Sequence, residues 1–127
     1  MVILTGGEPM LYPELVKSVA RKIRSETKAP IVLYTAKANP ATNLIDVMGY
    51  VDGITLTLHT PKDIPDFVKL QGLLKAYGAS GYSLRLNVFN GISLKGVDVS
   101  GWKVKDKIKW IKNCPLPTNE VFMRLAK

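Results

Sequence analysis

The sequence predicts an α/β domain whose parallel strands form part of a (βα)n barrel. Short apolar runs alternate with amphipathic stretches, which favours parallel strands joined by right-handed helical crossovers. In two runs, residues 54–59 and 83–88, apolar side chains alternate with hydrogen-bonding ones. A flat sheet covered on both faces would be apolar throughout, so the alternation favours a curved sheet with helices outside and a polar interior. A half-exposed sheet with its polar face in water is the alternative.

The first elements have clear boundaries. Residues 1–4 are apolar and predict a strand, and Pro13 then opens a helix with one apolar face that ends before Pro30. Residues 31–35 form a continuous apolar run, as expected of a covered strand. A second helix begins after Asn39-Pro40 and ends at Gly49.

The alternation of predicted strands and helices continues to residue 89 and is then interrupted by a loop. A strand at 54–59, a helix from Asp63 to Gly78 and a strand at 82–89 are followed by a glycine-rich loop over 90–101. Lysines then surround Val104, Ile108 and Ile111, whose spacing predicts a basic helix ended by Pro115 and Pro117. Residues 120–126 predict a last strand.

Length and composition indicate a single domain over residues 1–127. Apolar residues make up 46% and charged residues 22%, which is ordinary for a globular protein. No apolar run approaches the roughly 20 residues that span a bilayer, and no leader pattern is present. We therefore expect no membrane association and a cytoplasmic location.

Catalytic and metal-binding residues are scarce. Cys114 is the single cysteine, so neither an internal disulfide nor a cluster held by several cysteines of this chain is expected. Its position before Pro115 favours a structural thiol at a helix end. His59 is the single histidine, and no nucleophile motif accompanies it. We assign no catalytic residue and no metal ligand.

The formal net charge of +8 suggests an anionic partner, such as an acidic protein or a nucleic acid. Few aromatic residues accompany the basic ones and no nucleic-acid motif is present, while helix faces in water are commonly charged. The basic residues fall in two predicted helices: Lys17, Arg21, Lys22, Arg24 and Lys28 in one, and Lys103, Lys105, Lys107, Lys109 and Lys112 in the other.

The turn after the first strand, residues 5–9 (TGGEP), has the layout of a cofactor site: a strand, a glycine-paired turn and a helix. Gly6 and Gly7 permit positive φ and remove the Cβ atoms that would keep a ligand from the backbone. Glu8 adds a carboxylate for a ligand ammonium group. A tight turn with a solvated glutamate is the alternative.

Three segments resemble radical S-adenosylmethionine enzymes. Residues 2–11 (VILTGGEPML) resemble the second strand and GGEP motif of that family, and residues 50–58 (YVDGITLTL) resemble its fourth-strand region. Residues 84–91 (LRLNVFNG) are similar to the fifth strand of the activating-enzyme branch. The resemblance covers most of residues 1–91 and leaves 92–127 divergent.

The resemblance implies a partial (βα)₆ barrel in which the GGEP turn holds the methionine amino group of S-adenosylmethionine. Thr57 and His59 would lie on the strand that reaches the ribose or carboxylate, and Arg85 would face the carboxylate. An interior salt bridge from Arg85 to an acid such as Glu8 is the alternative. The implied cofactor-binding residues are Gly6, Gly7, Glu8, Pro9, Thr57, His59, Arg85 and Asn87.

The chain also departs from the family. A CxxxCxxC loop before the GGEP strand normally holds a 4Fe-4S cluster, but here the first strand, that loop and the first helix are missing. The sequence Thr35-Ala36-Lys37 stands where a Thr-Asn-Gly turn is common. Cys114 alone cannot hold a cluster. We therefore expect a half-barrel that binds S-adenosylmethionine, is part of or derived from a radical enzyme, and is inactive alone.

Two further expectations follow. A cluster-free, non-catalytic binding or assembly protein with a basic partner surface is the alternative function, and the initial methionine is compatible with it. Residues 2–5 would also form an exposed apolar edge, which proteins normally cover. We therefore expect a strand from a second copy, forming a homo-oligomer, or from another subunit to pair with them.

Overall fold

The structure is a computed structural model, which describes residues 1–78 and 81–108 and the backbone of 121–124. Helices and strands alternate along most of it. In chain order the elements are β1 (Val2–Thr5), α1 (Pro13–Glu26), β2 (Ile31–Thr35), α2 (Ala41–Met48), β3 (Gly53–Leu58), α3 (Ile64–Tyr77), β4 (Ser83–Phe89), β5 (Lys103–Ile108) and β6 (Val121–Arg124).

All six strands form one parallel sheet in the order β5-β4-β3-β2-β1-β6. The first five strands lie side by side in chain order, and α1, α2 and α3 provide the first three crossovers. The predicted α/β class and parallel pairing are confirmed. No helix in the described part of the chain is long and apolar enough to cross a membrane.

The three helices pack against one face of the sheet. Leu33, Ile54 and Leu84 occupy neighbouring strands at matching register and belong to the same buried cluster as residues of all three helices. The helices supply Val16 and Ala20 from α1, Leu44 and Val47 from α2, and Phe67 and Leu70 from α3. This face is the apolar half of the alternation in β3 and β4, as the sequence predicts.

The predicted basic helix is wrong, because residues 103–108 form β5. Its backbone pairs with β4, with Leu86 opposite Val104. Two periods coexist in this segment: Val104 and Ile108 suit a helix, but Lys103, Lys105 and Lys107 alternate with the other residues as in a strand. Backbone hydrogen bonding to β4 favours the strand. Residues 109–112 and Cys114 lie outside the described residues.

A strand pairs with the edge of β1, as predicted, but it comes from this chain and not from a second copy or another subunit. β6 lies beside β1, with Val2 opposite Val121 and Thr5 opposite Arg124. The chain itself therefore supplies the strand that we expected from a second copy or another subunit, because its C-terminal segment returns parallel to β1. The predicted last strand is confirmed over Val121–Arg124.

The loop between β4 and β5 is tied to α3. The amide nitrogen of Gln71 donates to the carbonyl oxygen of Ser100 at 2.9 Å, and its oxygen accepts from the Trp102 indole at 2.9 Å. Trp102 is buried and meets Phe67 edge to face at a centroid distance of 5.3 Å. Lys75 forms an ion pair with Asp98. In the connection from β4 to β5, this loop therefore takes the place of a crossover helix and packs against α3.

Candidate functional site

The turn after β1 has the backbone geometry that two glycines permit. Gly6 has φ of 101° and Gly7 has φ of 58°, so both lie where L-residues are disfavoured. Glu8 follows in extended conformation, and Pro9 begins a 3₁₀ turn that leads into α1. The turn lies at the carboxyl end of β1, the edge at which parallel α/β sheets bind ligands.

Glu8 is bonded to the protein, so the alternative of a solvated glutamate is wrong. Its Oε2 accepts from the Met10 backbone nitrogen at 2.7 Å and from the Thr35 hydroxyl at 2.7 Å. Its Oε1 accepts from the Ala36 backbone nitrogen at 2.6 Å. The carboxylate therefore joins the turn after β1 to the end of β2.

These contacts leave some acceptor capacity. An ionised carboxylate has about four lone-pair sites, so three donors leave roughly one, on Oε1 of Glu8. Glu8 is also half-buried rather than sealed from solvent. One ligand donor, such as an ammonium group, can bind there without displacing a protein contact.

The polar residues of β3 and β4 share the sheet face opposite the helices. Thr55 lies opposite Arg85, and Thr57 opposite Asn87. We call this the polar face. It also includes two residues of β5, because Arg85 lies opposite Lys103 and Asn87 lies opposite Lys105. Its members are Thr55, Thr57, Arg85, Asn87, Lys103 and Lys105.

His59 lies just beyond β3 and is not part of the polar face. It is exposed, and its ring meets Phe89 edge to face at a centroid distance of 4.6 Å. Its backbone nitrogen donates to Asp63 at 2.8 Å. Thr57 is half-buried on the strand before it. The sequence-predicted residues thus fall in two groups, one at the β1 turn and one on β3 and β4.

Arg85 lines a cleft between β4 and β5. The cleft has a volume of about 230 Å³ and is lined by Arg85, Asn87, Lys103, Val104 and Lys105. Arg85 forms no ion pair with Glu8 or with any other described residue, so the interior salt bridge considered as an alternative is absent there. The lysines were missed as site residues because the segment was assigned to a helix; their period-two spacing was the available signal.

Thr55 is the other residue that sequence reasoning missed. Thr55 is 3% exposed, and its hydroxyl has no hydrogen-bond partner in the part of the chain that the structure describes. A buried hydroxyl without a partner is costly, and such groups frequently mark functional regions. Tyr34 on one side and Arg85 on the other lie opposite it.

Two of the four basic residues of α1, Lys17 and Arg24, pair with acids of this chain, and a third, Arg21, contacts an aromatic ring. Lys17 contacts Asp46 and lies 3.3 Å from Glu14; the hydrogen bond to Asp46 raises the pKa of Lys17 despite its partial burial. Arg21 lies over the Tyr50 ring, with its guanidinium 5.4 Å from the ring centroid. These contacts within the chain therefore involve basic residues that the sequence suggested for an anionic partner.

Arg24 is neutralised in the same way. Its guanidinium lies 2.7 Å from Asp52, whose carboxylate also accepts from the Ile31 backbone nitrogen at 2.8 Å. Burial raises the pKa of Asp52, but the hydrogen bonds from Ile31 and Arg24 outweigh it and lower that pKa. Asp52 therefore joins α1 to the start of β2.

The residues present do not fit an iron–sulfur cluster. The chain has one cysteine, and a cluster of this type needs several thiolates. Within residues 1–78 and 81–108, no group of three or more histidine, cysteine or acidic side chains could hold a metal ion. By contrast, the Gly6-Gly7 turn and the free lone pair of Glu8 fit an amino-acid-like ligand.

Comparison of the chain with protein-family models, with curated proteins and with solved structures finds no match.

Proposed function

We propose that this chain is an S-adenosylmethionine-binding part-barrel of the radical S-adenosylmethionine type, and that it forms part of, or derives from, such an enzyme. The observation that carries the proposal is the turn at Gly6 and Gly7, where two positive-φ residues without Cβ atoms precede a carboxylate with acceptor capacity left. The parallel order of β1 to β5 supports the part-barrel.

In this proposal, the residues of the chain bind and orient the ligand. Glu8 accepts a hydrogen bond from the methionine ammonium group, while Gly6 and Gly7 let the backbone approach it. Thr57 and Asn87 offer hydrogen-bonding groups to the ribose, and Arg85 offers its guanidinium to the carboxylate. The resemblance also assigns Pro9 and His59 to the site.

The radical chemistry needs components that residues 1–127 do not supply. A four-iron cluster would supply the reducing electron for such chemistry, and this chain has only one cysteine with which to hold a cluster. The ligands would come from another chain or from sequence outside residues 1–127. An in-frame CxxxCxxC segment upstream in the gene would identify their source.

Ligand binding is tested by calorimetry with S-adenosylmethionine on the native protein and on Gly7→Ala. At φ of 58° an alanine is tolerated at a cost of about 1–2 kcal/mol, while its methyl group fills space that the ligand needs. Gly78→Ala is the matched control, because Gly78 has φ of +81° and open space around it. We expect heat from native protein and from the control, and little from Gly7→Ala. No heat from native protein would refute the proposal.

Cluster binding is tested separately by anaerobic iron and sulfide reconstitution. We expect no brown colour and no cluster absorbance with this chain alone. Stoichiometric cluster in the isolated chain would contradict the assignment of the missing ligands to other sequence.

The alternative is a cluster-free binding or assembly protein. The lysines of β5 favour it, because none of them forms an ion pair with a described residue. The contacts of Lys17, Arg21 and Arg24 weaken it. Retention of an acidic protein or nucleic acid at physiological salt, without any response to S-adenosylmethionine, would favour this function.

A further inference from the structure

The cleft between β4 and β5 is lined by three cationic residues, one amide and Val104, with no acid among the described residues that line it. Arg85 lies opposite Lys103, and Asn87 lies opposite Lys105. Paired strands lie about 5 Å apart, so opposite side chains on one face are neighbours. The three cationic residues therefore border one cleft on an exposed part of the sheet face.

This arrangement is unfavourable without a counter-ion, because like charges directly opposite each other destabilise a sheet. Three other described cations, Lys17, Arg24 and Lys75, each have a carboxylate partner, whereas the other described lysines have none. Arg85, Lys103 and Lys105 have none among the described residues. The like charges facing each other across β4 and β5, with no acid among the described lining residues, point to a ligand anion.

The size and chemistry of the cleft limit what that anion is. A volume of about 230 Å³ lies below the roughly 300–1,000 Å³ of sites that enclose a whole drug-sized ligand. Arginine pairs with planar carboxylates and with phosphates, while lysine adds point charges. The cleft thus suits one anionic group of a larger molecule.

We propose that Lys103 and Lys105, with Arg85 and Asn87, form a binding site for a phosphate or carboxylate group of a small-molecule ligand. The site shares Arg85 and Asn87 with the residues assigned to S-adenosylmethionine, and it goes beyond the proposed function through Lys103 and Lys105, which belong to no assigned group. It also stands without that function, since it needs no contact with the turn at Gly6 and Gly7.

The test is a titration of the uniformly ¹⁵N-labelled protein with inorganic phosphate and, in a second arm, with malonate, followed by amide chemical shifts. We expect saturable shifts at residues 85–87 and 103–105 in at least one arm. The arm with tighter binding identifies the class of anion. Lys103→Gln and Lys105→Gln should each weaken binding roughly tenfold, as expected for loss of one charge-assisted hydrogen bond.

Lys22→Gln and Lys28→Gln are the matched controls, because they remove the same charge from exposed positions on or beside α1. Equal weakening by a control would reduce the site to general electrostatic attraction and overturn the proposal. Chemical shifts that change linearly with anion concentration in both arms would also overturn the proposal. That result is expected if the lysines serve only to prevent another strand from pairing with the edge of β5. Saturable, lysine-dependent binding of an oligonucleotide or polyglutamate without saturation by either small anion would also overturn it.

Two variants separate this proposal from the previous one. Gly7→Ala should keep its response to the small anions even where it loses S-adenosylmethionine. Lys103→Gln should keep its heat with S-adenosylmethionine. A failed anion titration alongside normal S-adenosylmethionine binding would therefore sink only the anion site.

Discussion

The hydroxyl of Thr35 donates to Oε2 of Glu8 at 2.7 Å, so the end of β2 is tied to the turn after β1. The same hydroxyl accepts from the Lys37 backbone nitrogen at 3.0 Å, and Ala36 donates to the other carboxylate oxygen. Glu8 is thus a structural link as well as a candidate ligand group. A ligand-binding defect in a Glu8 variant would mix these two roles, which is why Gly7→Ala is the cleaner probe.

The structural role of Glu8 predicts a large loss of stability on its removal. Glu8→Ala leaves three donors without their acceptor and should lower the free energy of unfolding by about 2–3 kcal/mol. Thr35→Val should cost about 1 kcal/mol, because two of those bonds remain. Urea unfolding followed by circular dichroism measures both.

Glu26→Ala is the control for the Glu8 variants, since Glu26 is an exposed acid at the end of α1. Its effect should stay within about 0.5 kcal/mol, as is usual at the surface. Equal losses for Glu8→Ala and Glu26→Ala would contradict the link between β1 and β2.

Gln71 gives a second prediction, because it is the buried partner of the Trp102 indole. Gln71→Leu keeps the volume but leaves the indole N–H unpaired, and it also frees the Ser100 carbonyl. We expect a loss of about 1–3 kcal/mol in the free energy of unfolding. A double-mutant cycle with Trp102→Phe isolates the bond: a coupling energy near zero would show that the pair does not stabilise the loop.

Thr55 predicts the opposite result. Thr55→Val removes a buried hydroxyl that has no partner among the described residues, so the free energy of unfolding should stay the same or rise by up to about 1 kcal/mol. Thr35→Val is the matched comparison, because that hydroxyl is fully used. A loss above about 1 kcal/mol for Thr55→Val would mean that the hydroxyl has a partner, such as ordered water, in solution.

The spacing of apolar residues predicted the strands well where it matched a strand but not a helix. The alternation in residues 83–88 placed Leu84, Leu86 and Val88 on the helix-covered face, and these three are buried in the structure. It failed at Val104 and Ile108, whose spacing suits a helix and a strand equally. Only the pairing with β4, which depends on distant residues, decides between them.

The site was predictable in part. Positive φ at Gly6 and Gly7 follows from the residue type and its place after a strand. The bond between Glu8 and Thr35 joins residues far apart in sequence and has no local signal. Gln71 was missed because its polarity argues against burial, although its amide is satisfied by Trp102 and Ser100.

The pKa of Asp52 predicts a loss of stability in acid. Because that pKa is lowered from 3.8 in the folded protein, the carboxylate contributes its stabilisation fully above about pH 4 and loses it as the pH falls through the folded value. Asp52→Asn removes the ion pair with Arg24 but keeps an acceptor for the Ile31 nitrogen. Since the side chain is 44% exposed, we expect a cost of only about 0.5–1 kcal/mol at pH 7.

Urea unfolding of native protein and Asp52→Asn at pH 7, 5, 4 and 3 measures this contribution. The difference in unfolding free energy should be constant from pH 7 to 5 and shrink below about pH 4, as the native carboxylate takes up a proton. Asp66→Asn is the control for the loss of one carboxylate, because Asp66 forms no ion pair with a described residue. A difference that grows as the pH falls would have the wrong sign for a lowered pKa, and Asp52 would then not join α1 to β2 through its charge.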